Sequence, residues 1–145
     1  MRRAGLRRHY QIGCPHLLYG PQCNADKEAA TVATTVEAIN GRTITLPVAW
    51  PGVAESENFL TGMVEWTTAE GNLEVRTILK ITNNRELLLS GLVEHVLSVS
   101  DAIDVVKGCA HNVDFCADVH NNIHNYGGQP WIPFKSPFGF RNHFF

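Results

Sequence analysis

Four cysteines stand in two pairs near opposite ends of the sequence, Cys14 with Cys23 and Cys109 with Cys116, and most of what lies between them reads as β-structure. A single fold that accommodates both facts has to bring its two ends together, so the sequence predicts that the pairs meet. Compartment then bears on chemistry. The N-terminal arm lacks the apolar core of a signal peptide, and no apolar run approaches the ~20 residues of a bilayer-spanning helix. Folding in the cytosol is therefore expected, where structural disulfides are rare and thiols ligate metal or are simply buried. Any one buried cysteine is most simply a small core hydrophobe. Two flanked pairs fit that reading less well.

By spacing, the pairs are separated by eight and six residues, wider than the C-x₂₋₄-C hairpins of structural zinc sites and unlike the C-x₂-C runs of bacterial ferredoxins. Four thiolates suit either a tetrahedral zinc or an iron–sulfur cluster, and the larger cluster better tolerates ligands on long, separate loops. His16 and His111 each lie two residues after a cysteine; either could replace a ligand, or bond to backbone as loop histidines commonly do. His120 and His124 have helical i, i+4 spacing without the Glu of an H-E-x-x-H site, which favours a structural His–Asn network. A cysteine amidase or peptidase has to be weighed because cysteines and histidines are both present, yet two matched pairs exceed what one nucleophile needs. No phosphate-binding glycine loop occurs, since Gly127 and Gly128 follow a predicted helix rather than a strand.

The 145 residues suit one domain, 1–145, and carry a net charge of −2 with no field that would imply a nucleic-acid partner. Its parts are a basic arm (1–12, with Arg2, Arg3, Arg7 and Arg8), cysteine segments at 13–30 and 107–128, a β-region over 31–106, and a Pro/aromatic tail (129–145). In the first cysteine segment Gly13, Pro15, Gly20 and Pro21 impose turns, and Asp26 can cap one helical turn over 27–30. Six strands are expected: 31–39, 43–48, 59–68, 73–82, 86–90 and 102–106. Asn40-Gly41 is the composition of a type I′ hairpin turn, and residues 69–72 turn a second hairpin. Along 73–82, Leu73, Val75, Thr77, Leu79 and Ile81 would share one face, with Glu74, Arg76 and Lys80 opposite. Trp50 and Trp66 read as barrel residues. A helix is expected over 112–123, capped by Asn112, with Cys116, Val119, His120 and Ile123 on one face and Tyr126-Gly127-Gly128 stopping it. Together these give a mainly β (α+β) fold: a small antiparallel barrel or sandwich with one C-terminal helix and two cysteine-bearing loops.

Taken jointly, Cys14-Pro15-His16-Leu17-Leu18-Tyr19-Gly20-Pro21-Gln22-Cys23, Gly108-Cys109-Ala110-His111 with Cys116, Asn125-Tyr126-Gly127-Gly128-Gln129-Pro130-Trp131-Ile132-Pro133 and the stretch 59–66 resemble the C-terminal part of long-tailed phage tail-tip proteins. That family includes the lambda minor tail protein L and the hub protein of gene transfer agents. The resemblance implies a virion structural protein of the tail tip, assembled in the host cytoplasm and non-enzymatic, with an iron–sulfur cluster of the [4Fe–4S] type held by Cys14, Cys23, Cys109 and Cys116. It also implies other tail-tip proteins as partners and a homo-oligomer, threefold, at the end of the tail tube. Two departures stand out. Larger relatives carry an N-terminal docking β-domain whose role would fall here to another chain or to the Arg arm, and Ala110 replaces an expected aspartate. The arm and the tail are both expected to be contact surfaces, because Arg and aromatics are enriched at interfaces.

Overall fold

The computed structural model describes residues 10–52 and 54–132. The basic cluster Arg2–Arg8 and the tail from residue 133 onward lie outside the described residues.

Seven strands are present among the described residues: β1 (Thr31–Thr35), β2 (Ala38–Asn40), β3 (Thr43–Thr45), β4 (Met63–Thr67), β5 (Leu73–Thr82), β6 (Glu86–Leu89) and β7 (Ala102–Val106). They form one antiparallel sheet in the order β1-β7-β4-β5-β6-β3-β2. The mainly β, antiparallel class expected from the turn spacing is what forms. The expected single strand over 31–39 is instead two, because the run breaks at Val36-Glu37. Val36 N donates to Asp101 O beside β7 (3.1 Å), while Glu37 N donates to Thr45 O of β3 (2.8 Å). Successive halves of one run thus become the two edge strands, which curls the sheet into a half-barrel, and strands that bend from one sheet face to another are a usual way to turn such corners.

β5 bends for a second reason. Its first half pairs with β4 and its second with β6, and the register slips between Ile78 and Lys80. One extra residue, Leu79, flips the side-chain alternation, so Ile78 before it and Ile81 after it both turn toward the core, and of the expected face only Ile81 does so. Leu73 and Val75, ahead of the bulge, lie on the face away from the core, and Leu79 lies in the bulge; all three are exposed. Glu74 and Arg76 instead pair with Trp66 and Val64 across β4, and the Arg76 guanidinium lies 5.6 Å over the Trp66 ring, a cation–π arrangement that lets a charged residue cover an aromatic one.

Asn40-Gly41 also differs from expectation. Asn40 pairs with Thr43, so the two-residue loop is Gly41-Arg42, and only Gly41 has positive φ (59°). That is the Gly-X loop of a II′-type hairpin, which needs glycine at its first position alone. The predicted strand 59–68 begins four residues late, because Ser56–Phe59 forms a 3₁₀ turn that drops Phe59 into the core, fully buried and 5.1 Å from the Trp50 ring. Ile44, Val64, Trp66, Ile78, Leu87, Leu89, Ile103 and Val105 from the sheet meet Val36, Leu46, Trp50, Phe59, Val93 and Leu97 from the connections in one core. Trp50 and Trp66 are both part of it, as expected.

The helix α1 is shorter than its sequence pattern. It spans Val113–Asp118, with Asn112 accepting Phe115 N (2.7 Å) as the expected cap. Asn121, at φ 45°, closes it through a bond from its N–H to Ala117 O (3.0 Å), the left-handed end that Asn tolerates better than other side chains. His120 and Ile123 are thereby off the helical face, and Gly127-Gly128 is not its terminator.

Candidate functional site: the cysteine junction

β7 delivers the second pair. At its end Lys107 N donates to Ala30 O (3.0 Å) and Gly108 N to Asn58 O (2.9 Å). Gly108 lies against Gly62: a side chain on Gly108 would run into Leu60 O, and one on Gly62 into Val106 O. Glycine at both positions lets β7 and the entry to β4 touch backbone to backbone. Thr61 Oγ1 then donates to Cys109 O (3.3 Å).

The first pair is fastened to this end by bonds between residues about a hundred positions apart. Cys14 N donates to His111 O (2.8 Å) and His111 Nδ1 donates to Cys14 O (2.9 Å). His16 Nδ1 donates to Asn125 O (3.1 Å), Tyr19 Oη to Lys107 O (2.7 Å), and Tyr126 Oη to Ile12 O (2.6 Å). His120 Nε2 donates to Gly108 O (2.7 Å), with its ring edge-on to Tyr19 at 5.9 Å. Each of His16, His111 and His120 is thus engaged by a backbone carbonyl, the structural alternative weighed for the first two. The predicted meeting of the two cysteine segments occurs.

All four cysteines are free; Cys23 and Cys116 are buried, Cys14 and Cys109 half-buried. Three sulfurs face N–H groups. Gly127 N donates to Cys14 Sγ (3.3 Å), His111 N to Cys109 Sγ (3.3 Å), and Asn122 Nδ2 approaches Cys23 Sγ at 3.7 Å. Cys116 is the exception, since its thiol donates to Asn122 O (3.3 Å), a contact that requires the proton.

Burial pushes the Cys109 thiol pKa up; the His111 N–H opposes this, and the neighbouring charges of Cys23 and Cys14 add to it. Burial likewise raises that of Cys116, followed by the charges of Cys109, Cys14 and Cys23. Tyr19 and Tyr126 are raised too, by burial first and then by the same sulfurs. These sulfurs sense one another's charge, so ionising all of them together is unfavourable unless a cation compensates. Among the described residues no group of three or more His, Cys, Asp or Glu side chains converges as a single-ion metal site. Four thiolates around one zinc at ~2.3 Å would be drawn to within roughly 4 Å of one another.

Asn122, Asn125, Tyr19 and Tyr126 are the junction residues that spacing arguments passed over. The signal for Asn122, Asn125 and Tyr126 was the run of Asn and Tyr through 121–126, too polar for a core element; Tyr19 carries no such signal. A separate cavity of about 720 Å³, lined by Trp66, Thr67, Leu73, His95, Val96 and Ile103, opens at the far end of β4 and β7 and contains no cysteine.

The fold and junction define a small antiparallel half-barrel whose two ends are clasped through cysteine-bearing loops. The chain belongs to the family described as phage conserved hypothetical protein BR0599, whose model matches residues 57–136 and so takes in Cys109, Cys116 and the Asn122–Gly127 stretch. Comparison with curated proteins found no match. Among solved structures, a chain in the "Virion of native gene transfer agent (GTA) particle" shares the fold with a TM-score of 0.66 and 20% identity, over 88% of this chain and 46% of that one. The present chain therefore spans about half the length of that relative.

Proposed function

We propose that the chain is a structural, non-catalytic component of a phage or gene-transfer-agent tail tip. Cys14, Cys23, Cys109 and Cys116 hold an iron–sulfur cluster, of the [4Fe–4S] type, that joins the N-terminal loop to the C-terminal segment. The observation that carries this reading is the convergence of the two pairs as free thiols with N–H groups directed at three of their four sulfurs. Hydrogen bonds of that kind are a recognised means by which proteins tune iron–sulfur centres. Four thiolates on two long, separate loops favour a multi-iron cluster over zinc, since the larger cluster tolerates such ligands better. When bound, the cluster supplies positive charge that the thiolates need and contributes its ligation energy to folding. The protein's own part is to bury Cys23 and Cys116, orient the loops, and exclude water.

Membership of a phage protein family, together with a fold shared with a virion chain, supports the tail-tip role. Other tail-tip proteins and further copies of the chain, in a threefold ring, are the proposed partners. Trp131, 90% exposed at the start of the tail, supports an interface there, since lone aromatics of this size are typical contact anchors. The experiment is purification without oxygen followed by visible absorption: a brown protein with broad thiolate-to-iron bands supports the reading, and colourless protein with stoichiometric zinc refutes it.

A further inference from the structure

We propose that Asn122 is a positioning residue that sets both buried cysteines, Cys23 and Cys116, in place for ligation; its purpose rests on the proposed cluster role of the junction. Asn122 is only 8% exposed, and a buried amide must find partners for its polar atoms. It finds them on the two cysteines that are themselves buried. Nδ2 donates to Cys23 O at 2.6 Å and lies 3.7 Å from Cys23 Sγ, so the two amide protons serve both atoms of one cysteine. The backbone N–H donates to Cys116 O (2.9 Å), which holds the Cys116 backbone whether its sulfur is protonated or ligated, while the thiol's own bond to Asn122 O (3.3 Å) lasts only as long as it keeps its proton. Oδ1 accepts Asn125 Nδ2 (2.7 Å), which fixes the amide's orientation. One side chain and its own peptide therefore connect ligands from opposite ends of the chain.

The arrangement explains why the helix ends where it does. The left-handed turn at Asn121 swings residue 122 back toward Cys116, whereas a helix continued to residue 123 would carry it away. No other side chain substitutes easily. Aspartate keeps the shape but would aim an oxygen at Cys23 O and Sγ, and alanine would leave Cys23 O and Asn125 Nδ2 unpaired in a buried place, which is the costly outcome for polar groups.

The test uses the full chain purified without oxygen, as wild type, N122D and N125A. N125A frees the amide of Asn122 without removing it, and decides the matter if N122D does not fold. Iron and sulfide content of the wild type is read first and judges the cluster by itself. If the wild type carries iron, N122D is expected to lower the midpoint potential, because an N–H near Cys23 Sγ is replaced by negative charge, and N125A to shift it less in the same direction. Unchanged potentials would overturn the inference. If the wild type carries no metal, the proposed function has failed, and positioning is read by iodoacetamide labelling of each cysteine. N122D is then expected to speed labelling of Cys23 by about tenfold, the scale of losing one buried hydrogen bond, and that of Cys116, held by the backbone of residue 122, by less, while Cys14 and Cys109 keep their rates. Equal acceleration at all four, or none, would show Asn122 to be ordinary packing.

Discussion

The imidazole of His16 occupies the space in which a side chain on Gly127 would begin: a Cβ built at residue 127 meets Nε2, Cε1 and Cδ2 of the His16 ring. The same glycine directs its N–H at Cys14 Sγ (3.3 Å), and His16 is held in place by Asn125 O (3.1 Å). Glycine here serves close approach rather than a turn.

Replacing Gly127 by alanine is therefore expected to push the ring off its carbonyl and weaken the clasp by ~1–3 kcal/mol, as overpacking commonly does. Thermal melting should show it directly. Adding H16A to G127A should recover part of the loss, and a fully additive double mutant would mean that the two residues do not interact.

The cysteine pairing was legible in the sequence because thiols are rare and their two segments are rich in turn formers, so the ends had to meet near one place. The antiparallel β architecture was legible, as a barrel or sandwich, from the two-residue period and the spacing of turns. What escaped was set by tertiary structure. Leu79 carries no mark that distinguishes it from its neighbours, yet its bulge reverses the faces of β5. Val36-Glu37 has strand composition, and only the competition between Asp101 and Thr45 for its backbone divides the run. The i, i+4 pattern through Ile123 suggested a longer helix, but the left-handed turn at Asn121 gives Asn122 its bonds to Cys23 and Cys116 instead.

His120 supplies a pH dependence. Burial holds its pKa below the ordinary 6.5, opposed by the bond to Gly108 O, with Lys107 lowering it further. Between the folded value and 6.5 the unfolded chain binds more protons, so stability falls as pH drops through that window and is fully present above it. Urea midpoints measured from pH 7.5 to 5.5 should decline, and H120Q, which can still donate to Gly108 O, should flatten the decline. An equally steep H120Q profile would assign the effect elsewhere.

Phe59 anchors the junction side of the core, fully buried between Trp50 and the start of β4. Phe59→Ala is expected to cost ~3–5 kcal/mol and to loosen the Leu60–Gly62 backbone that Gly108 packs on. Hydrogen exchange should register faster opening at Gly108 than at Leu87 on the far strands. Uniform acceleration would mean that the junction is not specifically coupled to Phe59.

Removal of residues 138–145 leaves all four cysteines in place. The truncated chain should keep whatever metal the full chain binds while failing to enter assembled tails. Normal incorporation would show that the tail is no contact surface, and loss of metal from the isolated truncated chain would show that it belongs to this chain's own core.

Whether the four cysteines act together as one ligand set is read from iron and acid-labile sulfide per chain in protein purified without oxygen, for wild type and for each Cys→Ser variant at 14, 23, 109 and 116. Bound iron and sulfide are expected in the wild type, and each of the four variants is expected to lose both the cluster and soluble folded protein. Folded, metal-free wild type would contradict a shared ligand set, as would a single cysteine whose replacement abolished peptidoglycan hydrolysis while folding and assembly stayed intact.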